Sequence, residues 1–428
     1  MNEITYSPES LLPSVINQNI KYFSLFSYLS QQRQGVGYIA PVLRTDIRKA
    51  GLIPSVRVWD FATIALSVSA ADLSCQRATS ADGWTREFKL NIHLCEPGPW
   101  IGQRTKIESV LRFLTGDFWS LNFLTGGEAP PKAKKPKSYA ADCVSLISGG
   151  LDSLVGGIDI AARKRNPLFV AQIVRGDRNV QEEYANALGA KDRFCQWSFA
   201  VPKIEDSEGS TRARSIVFYA FASLAASAIS SSAKQPVEIF VPENGFISLN
   251  VPLNAGRMGS LSTKTTHPIY IQGIQSIWDA VGIYAKLISP YQFKTKGELL
   301  AECADQNMLI HLVGRSTSCG KFGRHGLKHC GRCVPCLVRR AAFLKAGISD
   351  STVKGYVFDN LANSGSAKSA NDIKAVAAAY LQCQMQGVRR FVGGALTFAT
   401  ADQRPQYEGV VERGLNELGK LLTNYGVI

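Results

Sequence analysis

Apolar and polar positions change rhythm along the chain. Residues 66–70 and 84–94 alternate with a period of two and predict strands, while residues 106–114 repeat at helical spacing. Residues 1–125 therefore predict a smaller α+β domain. It carries no clustered acid, base or nucleophile, so recognition is its expected role. In residues 126–138, GGEAPPKAKKPKS, periodicity stops and glycine, proline and lysine take over, which predicts an exposed linker.

Beyond the linker the order becomes strand, glycine-rich turn, helix, strand, helix, the pattern of an α/β fold whose parallel sheet is wrapped by helices. Strands are predicted over residues 143–147, 168–174 and 237–241, and helices over 151–163, 180–188 and 215–230. Residues 243–267 read as one long loop, and so long a loop is more often functional than not. This central domain is expected to span residues 139–349. Residues 350–428 predict a helical C-terminal extension, with helices over 371–386 and 407–422. No internal repeat is visible.

At 428 residues the chain is long enough for two or more domains. With 45% hydrophobic and 19% charged residues it is globular, which excludes bulk disorder, collagen and a simple coiled coil. Lysine and arginine exceed the acids by 48 − 34 = 14, so anionic partners are expected. The N-terminus shows no basic patch followed by an apolar stretch, so no secretory leader is expected. The 19 uncharged residues 215–233 include six serines, and a bilayer span needs roughly 20 mainly apolar residues. A buried core helix is expected there and no membrane partner.

Four of the ten cysteines crowd between Cys319 and Cys336, which suits a metal site in a reducing cytoplasm better than a disulfide framework. Their order is Cys319, ten residues, Cys330, two residues, Cys333, two residues, Cys336. Four thiolates suit tetrahedral Zn2+, and Cys-x-x-Cys pairs turn naturally around one ion. His325 and His329 lie inside the loop, so a mixed site is the alternative. Residues 307–349 hold eight lysines or arginines and no acid. They read as a solvated basic face or as contacts to phosphates, protein or RNA.

The other chemical motif is Ser148-Gly149-Gly150-Leu151-Asp152-Ser153, between a predicted strand and a predicted helix. Two glycines permit a tight turn that exposes successive N–H groups at a helix N-terminus, where the helix dipole favours a polyanion. Ser148 and Ser153 add hydroxyls, and Asp152 is an expected ligand for Mg2+. The candidate nucleotide-binding run extends over Ile147, Ser148, Gly149, Gly150, Leu151, Asp152, Ser153, Leu154, Val155, Gly156 and Gly157. It is no Walker loop, because Gly320-Lys321 and Gly419-Lys420 are followed by Phe322 and Leu421 and not by Ser or Thr.

The SGGxDS run resembles the PP-loop of ATP pyrophosphatases, which cleave ATP between its α and β phosphates. With the segments up to Phe343 it resembles the QueC family, the 7-cyano-7-deazaguanine synthases. Ser289-Pro290, Thr295-Lys296 and Glu298 look like that family's Pro…Thr-Lys-x-Glu segment, and CGRCVPCLVRRAAF from Cys330 is similar to its CGxCxxCxxR ending. Thr211 to Ser215 lie where the family carries an Arg-Asn pair. The resemblance covers about residues 141–345 and implies ATP as cofactor and a deazaguanine carboxylate as substrate. Asp152, Ser153, Lys296 and Arg214 are the implied catalytic candidates.

The match departs from the family at residues 172–177, in the 243–267 loop with Ser260, Ser262, Thr263, Lys264 and His267, and in the added ends. Together these features look like the QueC-like proteins of bacterial anti-phage defence operons, those of Qat systems in particular. That implies transfer of the adenylated acid to an amine, with a partner protein of the same operon as acceptor. The readings kept open are a tRNA-modifying PP-loop enzyme, a cyano synthase using ammonia, and a non-catalytic nucleotide-binding scaffold.

Overall fold

The computed structural model describes residues 1–173, 176–201, 207–229, 235–253, 264–362 and 371–428. The first sheet comprises β1 (Asn2–Ser7), β2 (Ile20–Leu25), β3 (Val36–Ile39), β4 (Glu87–His93) and β5 (Phe118–Leu124), parallel throughout in the order β3-β2-β1-β4-β5. Helices α1 (Leu43–Lys49), α2 (Val56–Ser74) and α3 (Pro97–Thr115) accompany it. The alternation in β4 works as predicted, because Phe88, Leu90 and Ile92 are buried.

The strand expected at residues 66–70 does not form; these residues lie inside α2, which Ser55 caps by accepting from the Val58 N–H at 3.4 Å. Of its 19 residues 16 are buried. A helix enclosed on every side carries no amphipathic stripe, and the short Leu-Ser-Val-Ser-Ala alternation then imitates a strand.

The second sheet runs β10-β9-β6-β7-β8 and is also parallel, built from β6 (Cys143–Leu146), β7 (Pro167–Gln172), β8 (Phe194–Trp197), β9 (Val237–Phe240) and β10 (Ala285–Ile288). Helices α4 (Leu151–Ala162), α5 (Arg178–Ala187), α6 (Ser215–Ala226), α7 (Gly245–Leu249) and α8 (Pro268–Val281) alternate with these strands. The winding reverses between β6 and β9, which opens a crevice at their carboxyl ends. Then follow α9 (Lys296–Ala301), α10 (Gln306–Leu312), α11 (Val334–Ala346), α12 (Asn371–Gln386), α13 (Val388–Val392) and α14 (Arg404–Asn424). The last three helices share an apolar core with α7 and α11.

Within the expected 243–267 loop, α7 forms, and Ser260, Ser262 and Thr263 lie outside the described residues. So do Val174 and Arg175. Helix α6 is the expected buried helix, and among the described residues no helix is long and apolar enough to cross a membrane.

The two sheets share one core. Helix α2 packs on α6 and α3 on α8, so a single apolar cluster runs from Ile4 through Leu66 and Phe221 to Leu287. Buried Arg86 joins Asp72 and Asp117, the latter at 2.8 Å. Asp72 also crosses to the second sheet, its Oδ2 accepting from the backbone N–H groups of Arg212 at 2.6 Å and Ala213 at 2.7 Å. The segment expected to be an exposed linker is strapped down at several points. Glu128 O accepts from Trp59 Nε1 at 2.9 Å, Lys137 N–H donates to Gly51 O at 3.0 Å, and Pro131 and Ala133 are buried. Composition reads the exposed lysines correctly but carries no sign of these backbone anchors.

Candidate active site and metal centre

The SGGLDS run follows β6 and opens α4, at the winding reversal. Gly149 takes φ +80°, a backbone state that disfavours side chains, and Gly150 is the helix N-cap. Ser153 Oγ accepts from Ser148 N–H at 3.1 Å and donates to Gly150 O at 2.9 Å, which holds the turn closed from within. The remainder of the run serves packing. Ile147, Leu151, Leu154 and Val155 are core residues, Gly156 lies against Pro242 with no room for a Cβ, and Gly157 leaves space for Leu188.

Asp152 points into the protein and is 4% exposed. Lys296 Nζ stands 2.9 Å from its Oδ1, and Oδ2 accepts from Asn244 Nδ2 at 2.7 Å and Asn244 N–H at 3.1 Å. Burial, the largest single influence, pushes this carboxyl up, but Lys296, Glu243 and Asn244 together outweigh it, and the pKa is lowered to about 2. Glu243 shows the opposite result. Burial and the Asp152 charge raise it well above the usual carboxylate range. The expected magnesium role of Asp152 meets this geometry poorly, because a cation at Oδ1 would face the Lys296 ammonium.

Lys296 opens α9 behind a capping box, in which Thr295 Oγ1 accepts from Glu298 N–H at 3.1 Å and Glu298 Oε2 from Thr295 N–H at 2.9 Å. The exposed Arg214 precedes α6 and acts on Asp177. Burial raises Asp177, while Thr317 and Arg214 oppose the rise. Asp177 also stands beside Gly149, and Thr317 N–H donates to Gly149 O at 3.0 Å. The loop is thus bounded by Asp152, Lys296 and Glu243 beneath, and by Asp177, Thr317 and Arg214 beside it. His267 has a structural post, as the N-cap of α8 between Phe113 and Phe398. Lys264 lies over the Phe113 ring at 4.2 Å.

Asp177, Glu243, Asn244 and Thr317 were not picked from the sequence. The first three follow β7 and β9, the strands flanking β6, and the rule that ligands sit at carboxyl ends beside the winding reversal points to those positions.

The four cysteines converge as their spacing predicts. Cys319, Cys330, Cys333 and Cys336 are buried, with all sulfurs within 4.8 Å of one another. The Cys319–Cys333 and Cys330–Cys336 sulfur separations are both 3.9 Å. A tetrahedron of Zn–S bonds of ~2.3 Å has edges of about 3.8 Å, close to these two separations, so the cluster could hold zinc. Backbone N–H groups of Lys321, Cys330 and Cys333 point at sulfurs at 3.3 Å, which favours thiolates. His329 is no ligand here. Its Nε2 accepts from Ser318 N–H at 3.1 Å and its Nδ1 meets Thr352 Oγ1 at 3.0 Å, which disposes of the mixed site through His329.

Buried Arg339 on α11 donates to Ser316 O at 3.0 Å and pairs with Asp350 at 2.9 Å. The cysteine module is therefore tied to Thr317 and through it to the SGGLDS turn. The basic stretch divides accordingly. Arg332, Arg339 and Arg340 are buried in internal contacts, while Arg315, Arg324 and Lys345 are exposed.

Protein purified without chelators is expected to carry one zinc per chain, and Cys330→Ser to lose it and unfold the 316–346 module, to which zinc contributes on the order of 10 kcal/mol. Metal analysis finding a folded, zinc-free wild type would overturn this assignment.

The chain is 31% identical over 128 residues to a 7-cyano-7-deazaguanine synthase of Paracoccus denitrificans, covering 26% of this chain and 52% of that protein. It is 35% identical over 89 residues to the synthase of Brucella anthropi, covering 20% of this chain and 36% of that protein. The chain thus spans about half or less of the length of these relatives. No family model matches, and no solved structure matches.

Proposed function

We propose that the protein is a QueC-like ligase that adenylates a 7-deazaguanine carboxylate with ATP. The carboxylate oxygen attacks the α-phosphorus, the α–β bridging bond breaks, and pyrophosphate leaves. An amine then attacks the acyl carbon, AMP departs with the bonding pair, and the amine gives up a proton. The carrying observation is the SGGLDS turn at the winding reversal, braced by Lys296–Asp152 and touched by the zinc-type cysteine module. The partial similarity to 7-cyano-7-deazaguanine synthases supports the substrate class.

In this reading the N–H groups of Gly149 and Gly150 and the hydroxyl of Ser148 bind phosphate oxygens. Arg214 offsets charge at the rim. Magnesium arrives with the triphosphate, and Asp177 beside Gly149 is the carboxylate better placed than Asp152 to share it. The closer likeness to QatC of Qat defence systems rests on the sequence resemblance. It makes the amine a group on a partner protein of the same operon. A chain N-terminus suits this role, because its pKa of about 7.7–8.0 leaves far more free amine near neutrality than a lysine near 10.4.

The test is incubation with ATP, magnesium and 7-carboxy-7-deazaguanine, alone, with ammonia, with tRNA and with operon partners. AMP and pyrophosphate, with a deazaguanine-sized adduct on a partner's first residue, are expected. ADP and phosphate as main products would overturn the chemistry. Exclusive labelling of tRNA, or nitrile formation with ammonia, would relocate the acceptor, and no turnover with every partner present would leave a scaffold.

A further inference from the structure

The supports of Asp152 come from two places far apart in the chain, the Asn244 turn before α7 and the Thr295–Lys296 cap of α9. One element touches both. Gly414 of α14 lies under the Phe246 ring with no room for a Cβ, and Val410 Cγ1 stands 3.3 Å from where a Cβ on Gly245 would be. Three residues further along α14, nearly one turn, Thr295 Oγ1 donates to Glu417. Arg413 donates from Nε to Glu298 Oε1 at 2.5 Å and from its terminal nitrogen to Phe293 O at 2.9 Å. Glu298 and Thr295 are the two halves of the capping box behind Lys296.

We propose that α14 is a positioning element of the nucleotide site, with Glu417 and Arg413 as its positioning residues. The helix sets the Thr295–Lys296 cap and seats the Asn244 turn, so both ligands of the Asp152 carboxylate depend on the C-terminal extension. This rests on the reading that Asp152 belongs to the ATP site. A packing role alone would need neither contact aimed at the cap. The polar contacts instead end on the hydroxyl and the carboxylate that start α9, the helix whose first residue is Lys296.

Burial raises Glu417 to about 7 against the Thr295 hydroxyl bond, with Glu298 adding to the rise and Gly297 and Lys345 opposing it. Glutamine therefore imitates its neutral form and keeps an oxygen for Thr295. Glu417→Leu is expected to raise the KM for ATP and lower kcat for AMP release, each about tenfold, while Glu417→Gln stays within about twofold of wild type. Hydrogen exchange at residues 244–248 and 295–299 should accelerate in Glu417→Leu alone. Arg413→Met, at an exposed position, should give the same pattern in weaker form and serves where the leucine variant fails to fold.

A lowered melting temperature with unchanged KM, kcat and exchange in these segments would mean packing only, and overturns the proposal. If wild type releases no AMP, the ATP reading fails. The exchange pattern then still decides whether α14 sets the Asp152 supports.

Discussion

Lys296→Met is expected to destabilise the folded protein by about 3–5 kcal/mol, because it leaves a buried carboxylate without its cation. On the proposed reading it is also expected to cut AMP release about 10²-fold, the order seen when one preorganised electrostatic contact is lost, because Lys296 sets the Asp152 carboxylate beneath the turn that would cradle the triphosphate. The two effects separate in the double variant. Lys296→Met with Asp152→Asn removes both charges, so unfolding in urea should show much of the lost stability restored while AMP release stays low. Equal destabilisation in single and double variants would show that the pair is not coupled.

Acid unfolding supplies the sign. The folded pKa of Asp152, about 2, lies below its ordinary value of 3.8. The stabilisation is therefore present above about pH 4 and is lost as pH falls toward 2. The gap between wild type and Lys296→Met should narrow across that window.

Removal of residues 1–125 is expected to abolish soluble folding, contrary to what a tethered recognition domain would do. Without α2 and α3 the buried faces of α6 and α8 become open apolar surface, of the kind that drives aggregation. The backbone N–H groups of Arg212 and Ala213 also lose their acceptor on Asp72, just before Arg214. A milder probe is Arg86→Met, which removes the cation shared by buried Asp72 and Asp117 while Arg77 still pairs with Asp117 at 2.8 Å, and should cost about 3 kcal/mol. A soluble, cooperatively melting fragment from residue 126 that still releases AMP would overturn this account.

Elements whose signal is local were legible. The SGGLDS turn needs two glycines and two serines within six residues, and the four-cysteine cluster needs cysteines at knuckle spacing. Both appear where the residues alone place them, as do β6, β7, β9, α4 and α14 within a few residues at their ends. Residues 66–70 failed for the opposite reason. Their surroundings are the first sheet on one side and α6 on the other, and a helix buried on both sides loses the 3.6-residue rhythm by which a sequence announces it.

By itself, then, the sequence determined the parallel α/β character of the central domain, the turn that exposes successive amides, and the four-thiolate centre, because each follows from chemistry within a short stretch of chain. Only the tertiary structure decided what those groups face. Asp152 meets Asn244 across 92 positions and Lys296 across 296 − 152 = 144, and Asp72 reaches Arg212 across 140. Partners so distant are chosen by which helices the two sheets bring together, and they leave Asp152 buried and held by Lys296 and Asn244 beneath the SGGLDS turn.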